Sequence, residues 1–525
     1  MKRLLCCLIL FLWVNCLQAQ DSWTWGGPVD PLQAKYEVEH YTLKLEFFPE
    51  SQEIKGSNTI KFSCPGKLDT LRLDLINQYQ VTKVLVYEDE AEFAHAEDVL
   101  DIYIPNGCAE EVTVFYGGKT PQAPNPPWVG GFTWTKDEND NHWMGLSSQN
   151  EGAKIFMPAK NHPSSEPREG IDLYLTAPSP YFIASNGRLA QEEEKDRKIT
   201  YRWTSTYPIN NYNINFTLGK FHKESKEYAS IDGNPIQMEV YVLEENKAQA
   251  PMLLKVLENS TRTHESFFGE FPFPDDKIAV VETPYLGMEH QTINGYGNNF
   301  QFVPMGDVQY DWLLHHELGH EWWGNKVSVK DWADFWIHEG FTAYGDWLFF
   351  QKHGGDDAYQ QKVRSVRKDI TNSQPIVKGT NLTAEEAYHP EIYTKGAYIL
   401  HSLRFMVGDE LFFPMLKGLV NDERFIYQNR TSTDEVIEFM ETYTEKSLRG
   451  FFDLYLFTTD IPKVNLKRKG RGTYQLSLEN IDFTMPVEIK TDEGIKTVDL
   501  SKKPVTIRSN QAPEVDPRGW YLLEK

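Results

Sequence analysis

Residues 315–344 read HHELGHEWWGNKVSVKDWADFWIHEGFTAY, and they carry donor groups at the spacing that a zinc site requires. His316 and His320 are four residues apart, so on a helix both rings project from one face and can bind one ion. Glu339 follows after 18 intervening residues, which is enough for a second helix to supply an oxygen ligand. A His-His-Glu set leaves a fourth position for water, as catalytic zinc sites do.

Glu317 directly follows the first of these ligands. A carboxylate at this point lies beside the metal without binding it, where it can accept a proton from water and pass it to a leaving amine. The pattern therefore predicts one Zn²⁺ per chain, with Glu317 as the general base. An accidental HExxH on an exposed helix is the alternative, and the matching Glu339 argues against it.

The composition predicts a globular protein of several domains. A chain of 525 residues exceeds what one hydrophobic core normally serves, and its 40% hydrophobic residues can fill more than one core. The chain has 53 basic and 76 acidic residues, a net charge of −23. This charge disfavours nucleic acids and anionic membranes as partners, because both are polyanions.

Residues 1–19 have the form of a secretory signal peptide. Lys2 and Arg3 precede an apolar run of about 14 residues, and Ala19 precedes the expected cleavage point. The run is shorter than the roughly 20 residues that span a bilayer. We therefore expect an exported chain, periplasmic or extracellular, without stable membrane insertion.

The cysteines leave two questions open. Cys64 and Cys108 remain after cleavage of the leader, and in an oxidising compartment they can form a disulfide or stay as two thiols. Cys16 leaves open a lipid anchor, although the Asn15 before it is a poor residue at that position.

Periodicity divides the rest of the chain into three domains. Residues 20–224 contain alternating runs such as YTLKLEFF and NTIKFSC, which predict an antiparallel β domain. Residues 225–460 contain mainly helical patterns, including PMLLKVLENSTRTHESFFG and STDEVIEFMETYTEKSLRGFFDLYLF. Strand patterns such as MPVEIKT return in residues 461–525, which predict a small β module. The expected class is multidomain α+β.

These motifs resemble those of the M1 family of zinc aminopeptidases, the group of aminopeptidase N and leukotriene A4 hydrolase. HELGHEWWGN and HEGF are similar to the family's HExxHxWxGN and NEGF, with His338 in the place of the usual Asn. The resemblance covers the chain from about Tyr36 to its end. It implies a thermolysin-like, mainly helical catalytic domain between the β domain and a small C-terminal β-sandwich.

YLGMEHQ, residues 285–291, resembles the family's GxMEN motif. The resemblance implies that Glu289 binds the α-amino group of the substrate, with Gly287 and Met288 on the strand edge that receives the peptide backbone. His290 takes the place of the usual Asn, and its effect on substrate binding stays open.

Two further segments carry the resemblance. EIYTKGAYILHSLRFMVGD, from Glu391, resembles the segment whose tyrosine, here Tyr393, donates a hydrogen bond to the tetrahedral intermediate; a phenol is a suitable fixed donor. Tyr388 matches a second tyrosine of the leukotriene hydrolase branch. SQNEGAKIFMPAKNHPSSEP, from Ser148, resembles a segment that helps to bind the substrate amine, through Gln149 or alternatively Glu151.

The resemblance implies an enzyme that releases single residues from peptides with a free N-terminus. Larger family members carry a helical C-terminal domain after the small β module, and this sequence has the short form. We therefore expect an open cleft that accepts longer peptides, or a partner subunit that completes the cavity. The oligomeric state and the preferred N-terminal residue are not readable from the sequence.

Three other functions remain as alternatives. A thermolysin-like endopeptidase shares HExxH and the distant glutamate, but it does not need GMEH or YTKG. A noncatalytic peptide-binding relative normally lacks a ligand or the base, and all four residues are present here. An epoxide hydrolase requires a lipid tunnel, which no local motif reports.

Overall fold

A computed structural model describes residues 23–107 and 109–524. The predicted leader, Cys16 and Cys108 lie outside the described residues. No helix among the residues described is both long enough and apolar enough to span a membrane.

The N-terminal region consists of strands, as its alternating runs predict. In β1, Tyr41, Leu43 and Leu45 are buried while Lys44 between them is exposed, so one face of the strand packs on the core. The strands are β1 (Glu37–Phe48), β2 (Glu53–Ser63), β3 (Thr70–Asp74), β4 (Gln80–Val86), β5 (Asp89–Glu90), β6 (Phe93–Ala96), β7 (Val99–Tyr103), β8 (Glu111–Lys119), β9 (Gly131–Lys136), β10 (His142–Ser147), β11 (Ile171–Pro178), β12 (Phe182–Ser185), β13 (Arg188–Lys195), β14 (Lys198–Ser205) and β15 (Phe216–Gly219).

These strands form three sheets. The largest has the order β13-β14-β11-β1-β2-β8-β4-β5, and the others are β12-β15-β10-β9 and β3-β7-β6. Pairing is antiparallel except between β1 and β11, where Tyr41 lies opposite Ile171 in a parallel register. The region is therefore antiparallel in the main, with one parallel pair that local sequence does not reveal.

A five-stranded sheet separates the N-terminal core from the helical core. Its order is β16-β17-β18-β20-β19, and a separate hairpin of β21 and β22 follows it. These strands are β16 (Phe221–Ala229), β17 (Pro235–Leu243), β18 (Ile278–Glu282), β19 (Gly287–Met288), β20 (Asn294–Tyr296), β21 (Val303–Met305) and β22 (Val308–Tyr310).

This sheet lies within the section for which the sequence predicts mainly helices. In β18, Val280 packs into the helical core while Val281 packs into the core of the N-terminal strands. Both faces are buried, so the strand reads as a continuous apolar run without the alternation that marks a half-exposed strand.

Eight helices lie among the described residues, and they form most of the second core. They are α1 (Ala250–Phe268), α2 (Trp312–Gly319), α3 (Trp336–Arg367), α4 (Ala384–Ala387), α5 (Glu391–Val407), α6 (Asp409–Leu419), α7 (Thr433–Thr444) and α8 (Arg449–Phe457). Ser432 caps the N-terminus of α7, where its side chain accepts a hydrogen bond from the Glu435 N–H. The long helical pattern that it opens divides into α7 and α8, because Glu445 takes a left-handed conformation with φ 54°.

A close crossing of α3 and α5 shapes the functional region. A Cβ built on Gly396 would lie 3.0 Å from Gly340 Cα, so only glycine at both positions allows this approach. Gly340 follows Glu339, and Gly396 lies one helical turn after Tyr393. The crossing therefore brings the predicted ligand and the predicted hydrogen-bond donor together.

The C-terminal strands form two three-stranded sheets, β23-β24-β27 and β26-β25-β28, as predicted for a small β-sandwich. The strands are β23 (Lys463–Gly470), β24 (Thr473–Glu479), β25 (Met485–Thr491), β26 (Gly494–Leu500), β27 (Val505–Arg508) and β28 (Glu514–Val515). The Tyr455 hydroxyl on α8 donates to the Leu522 carbonyl at 3.0 Å and ties this module to the helices. The predicted α+β class is confirmed.

Candidate active site

Two helices bring three potential metal ligands together. His316 lies on α2 and His320 caps its C-terminus, while Glu339 lies in the first turn of α3. Glu339 Oε2 lies 3.5 Å from His316 Nε2 and 3.3 Å from His320 Nε2. The three donor atoms lie within 4.8 Å of one another, so a single ion can contact all of them.

The surroundings of these donors fit a zinc ion. His316 Nδ1 lies 3.0 Å from Asp346 Oδ2, and His320 Nδ1 lies 2.9 Å from the Trp323 carbonyl oxygen. These contacts fix each ring with Nε2 free for a metal. Glu339 Oε2 is buried and accepts no hydrogen bond from the described residues. A buried acceptor facing two imidazole nitrogens is a donor set that suits Zn²⁺.

Glu317 lies beside the ligands and against the edge strand β19. A Cβ built on Gly287 would lie 2.9 Å from Glu317 Oε1 and 2.7 Å from Leu313 Cδ1. The glycine therefore lets the strand approach the carboxylate. Burial raises the pKa of Glu317 to about 8. A carboxylate with a pKa in this range can take up a proton and release it near neutral pH.

Glu289 is buried and held by two donors on one of its oxygens. Oε1 accepts hydrogen bonds from Gln149 Nε2 at 2.6 Å and from the Tyr212 hydroxyl at 2.9 Å. Gln149 thus lies where the resemblance placed an amine-binding partner. Glu151, the alternative, instead accepts a hydrogen bond from the Gly130 N–H at 2.8 Å. No side chain among the described residues donates a hydrogen bond to its other oxygen, Oε2 of Glu289.

Tyr393 reaches the ligand set from α5. Its hydroxyl lies 2.9 Å from Glu339 Oε1 and 3.3 Å from the Tyr388 hydroxyl. Burial raises the pKa of Tyr393 well above its usual value, so the phenol keeps its proton at neutral pH. A hydrogen-bond donor is therefore fixed beside the metal site.

A cavity of about 240 Å³, which we call the metal cavity, brings the predicted residues together. Its lining includes every site residue predicted from the sequence, namely Gln149, Gly287, Met288, Glu289, His316, Glu317, His320, Glu339 and Tyr393. Trp128 and Trp312 also line it, 44% and 48% exposed at its edge. Both tryptophans and Tyr212 were not predicted from the sequence, because no local motif marks them.

The two histidines that replace family asparagines are buried and uncharged. His338 Nε2 accepts a hydrogen bond from the Val329 N–H at 3.2 Å, and burial lowers its pKa to about 3. His290 Nε2 lies 3.3 Å from Asn215 Nδ2, and burial lowers its pKa to about 3 as well. Each ring therefore makes a polar contact within the protein and adds no charge to the site.

Residues 254–455, which include the metal ligands and Tyr393, match the Peptidase family M1 domain. This part of the chain resembles peptidase family M1. Curated relatives resemble the chain at low identity. The leucyl aminopeptidase of Saccharolobus solfataricus is 23% identical over 89% of this chain, and the leukotriene A-4 hydrolase of Xenopus laevis is 23% identical over 86%. The chain spans 60% and 75% of these two relatives.

Solved structures show the same fold. An M1 zinc metallopeptidase of Deinococcus radiodurans, a mutant bound to a Tyr-Ser-Ala substrate, matches with a TM-score of 0.70. The match is 21% identical and covers 82% of this chain and 95% of that chain. This chain therefore shares its fold with that metallopeptidase.

Proposed function

We propose that this chain is a zinc-dependent aminopeptidase that releases single residues from the N-terminus of peptides. The observation that carries the proposal is the buried Glu289 carboxylate, which lines the same cavity as the metal ligands and has one oxygen to which no described side chain donates. Such a carboxylate suits a substrate ammonium group. The match of residues 254–455 to the Peptidase family M1 domain supports the hydrolytic part of the proposal.

His316, His320 and Glu339 would hold the zinc ion. When bound, zinc supplies Lewis acidity, which polarises a carbonyl group and makes water more acidic. Asp346 and the Trp323 carbonyl keep the two imidazole rings oriented for this role.

The remaining residues of the site bind the substrate, transfer protons and stabilise the oxyanion. Glu289, held by Gln149 and Tyr212, anchors the substrate ammonium. Glu317 takes the proton from the attacking water and returns it to the leaving amine. Tyr393 donates a hydrogen bond to the oxyanion that forms at the carbonyl. Its high pKa keeps this donor protonated throughout.

Anchoring of the amine selects which bond reacts. With the ammonium held at Glu289, only the first peptide bond lies beside Glu317 and Tyr393. The short edge strand β19 offers free backbone groups to the substrate, since it pairs on one side only, with β20. Peptides with a blocked N-terminus lose the ammonium contact and should react poorly.

Hydrolysis of aminoacyl arylamides tests this function. We expect zinc-dependent cleavage of free-amine substrates, little cleavage of the same substrates after N-acetylation, and a loss of at least about 100-fold in kcat/KM for Glu289→Ala. Equal cleavage of free and acetylated substrates would indicate an endopeptidase. Bound zinc without turnover of any substrate would indicate a peptide-binding protein.

We further propose that the chain is exported after cleavage near Ala19, because residues 1–19 have the pattern of a signal peptide. N-terminal sequencing of the protein from the culture medium and the periplasm tests this. A chain that begins at Met1 would contradict it.

A further inference from the structure

A second cavity adjoins the metal cavity, and we call it the side cavity. Its volume is about 250 Å³, against roughly 30 Å³ for a water molecule in the liquid. Trp128 and Tyr388 line both cavities. The side cavity is also lined by Trp23, Thr24, Pro124, Val129, Gly130, Asn150, Glu151 and Glu385.

An N-terminal segment, residues 23–27, builds one wall of the side cavity. Trp25 is 3% exposed, and its Nε1 donates to the Gln149 carbonyl oxygen at 2.6 Å. The Trp25 carbonyl oxygen accepts from the Ala384 N–H at 2.9 Å, and the Thr24 carbonyl oxygen accepts from Lys154 Nζ at 2.9 Å. These contacts, from both the N-terminal strands and the helical region, hold Trp23 and Thr24 in place.

The loop that carries Trp128 builds another part of the lining. Asn150 Nδ2 donates to the Trp128 carbonyl oxygen at 2.5 Å, and Glu151 Oε1 accepts from the Gly130 N–H at 2.8 Å. The loop is thus fixed by the two residues that follow Gln149 in the sequence. Gln149 itself faces the metal cavity and Glu289, so the amine position and the side cavity lie next to each other.

The surface of the side cavity is mainly apolar. The indole rings of Trp23 and Trp128, the Tyr388 ring and the aliphatic side chains of Pro124 and Val129 form its walls. Glu151 is only 5% exposed; its Oε1 accepts from the Gly130 N–H, and its buried Oε2 has no hydrogen-bond partner among the described residues. Such a surface favours a large apolar or aromatic group over a charged one.

We propose that the side cavity holds the side chain of the substrate's N-terminal residue and selects large apolar and aromatic residues. This inference rests on the proposed function, because it requires the ammonium at Glu289. The side chain and the ammonium leave the same α-carbon, so a ligand anchored at Glu289 and Gln149 has its side chain within reach of Trp128 and Tyr388. Trp23, from the N-terminal segment, is then a specificity-determining residue.

Two variants and a substrate panel test this. Val129 is 44% exposed and can be enlarged without disturbing the core, so Val129→Phe should fill the cavity. We expect kcat/KM for Phe and Leu arylamides to fall about tenfold or more while the Ala arylamide is little affected. Trp23→Ala should remove a wall and reduce the preference for Phe over Ala by a similar factor. Tyr103→Ala, which removes an aromatic residue 47% exposed in the N-terminal region, is the control.

The outcomes separate this inference from the proposed function. A wild-type enzyme that cleaves free-amine arylamides but keeps the same side-chain ranking in Val129→Phe and Trp23→Ala contradicts only the side-cavity assignment. A preference for Arg arylamide that Glu151→Gln abolishes would overturn it in favour of a basic residue. A wild-type protein that binds zinc but cleaves no arylamide contradicts the proposed function itself.

Discussion

At the scale of single residues, the two donors on Glu289 Oε1 define the amine site. A hydrogen bond to a charged group contributes about 1.5–3 kcal/mol. Tyr212→Phe removes the bond from the Tyr212 hydroxyl, and we expect KM for free-amine substrates to rise about tenfold with a smaller change in kcat. Tyr116→Phe is the matched control, because it removes a buried hydroxyl that donates to the Phe156 carbonyl oxygen at 2.6 Å, away from the site. Equal KM changes in both variants would contradict this role.

Gly287 provides a second test at this scale. In Gly287→Ala the new Cβ would lie 2.9 Å from Glu317 Oε1 and displace the carboxylate or the strand. We expect kcat to fall about 100-fold while the zinc content stays unchanged, because misplacement of a reacting group costs rate and not metal affinity. Gly295→Ala, on the neighbouring strand β20, is the control, since its nearest contact is 3.2 Å from Thr283 Cγ2. Kinetic constants and metal analysis of both variants decide the question, and equal kcat losses would argue against a specific effect on Glu317.

At the scale of elements, the N-terminal segment, residues 23–27, contacts both the N-terminal region and the helical region that build the site. Gly26 has φ +90° and a Cβ there would lie 2.6 Å from Trp332 Cδ1, whereas Gly233 has φ +87° with no atom within 4 Å. Each single substitution places alanine at a similar positive φ and therefore causes similar backbone strain. Only Gly26→Ala also displaces the segment from Trp332. We expect Gly26→Ala to melt about 3 °C or more below Gly233→Ala in a thermal unfolding scan. Equal melting temperatures would show that the packing of this segment adds no stability.

The elements also show what the sequence could predict. His316, Glu317 and His320 lie within five consecutive residues, so their spacing on a helix alone predicts that they lie close together. The contact between Gln149 and Glu289 joins residues 140 positions apart, and the bond from Trp25 to Gln149 spans 124. No local pattern decides such pairings, which is why Gln149 and Glu151 were indistinguishable in the sequence and Tyr212 was missed.

At the scale of the whole molecule, a metal ion would connect α2 to α3 and thereby stabilise the helical core. A ligand that binds only the folded state adds about 4 kcal/mol when it is present at 1,000 times its Kd. We expect a chelator to lower the melting temperature and added zinc to restore it. Glu339→Gln should abolish most of this response. A wild-type protein whose melting temperature changes with neither reagent would contradict a zinc site at His316, His320 and Glu339.

The most direct test of the central claim is mass spectrometry of a free-amine peptide during digestion by the zinc-loaded protein. The amine anchor at Glu289 beside the metal ligands predicts a ladder of products that each lack one more residue from the N-terminus. The same peptide with an acetylated N-terminus should remain intact. Internal fragments from both peptides would contradict an aminopeptidase and show that Glu289 does not determine which bond is cleaved.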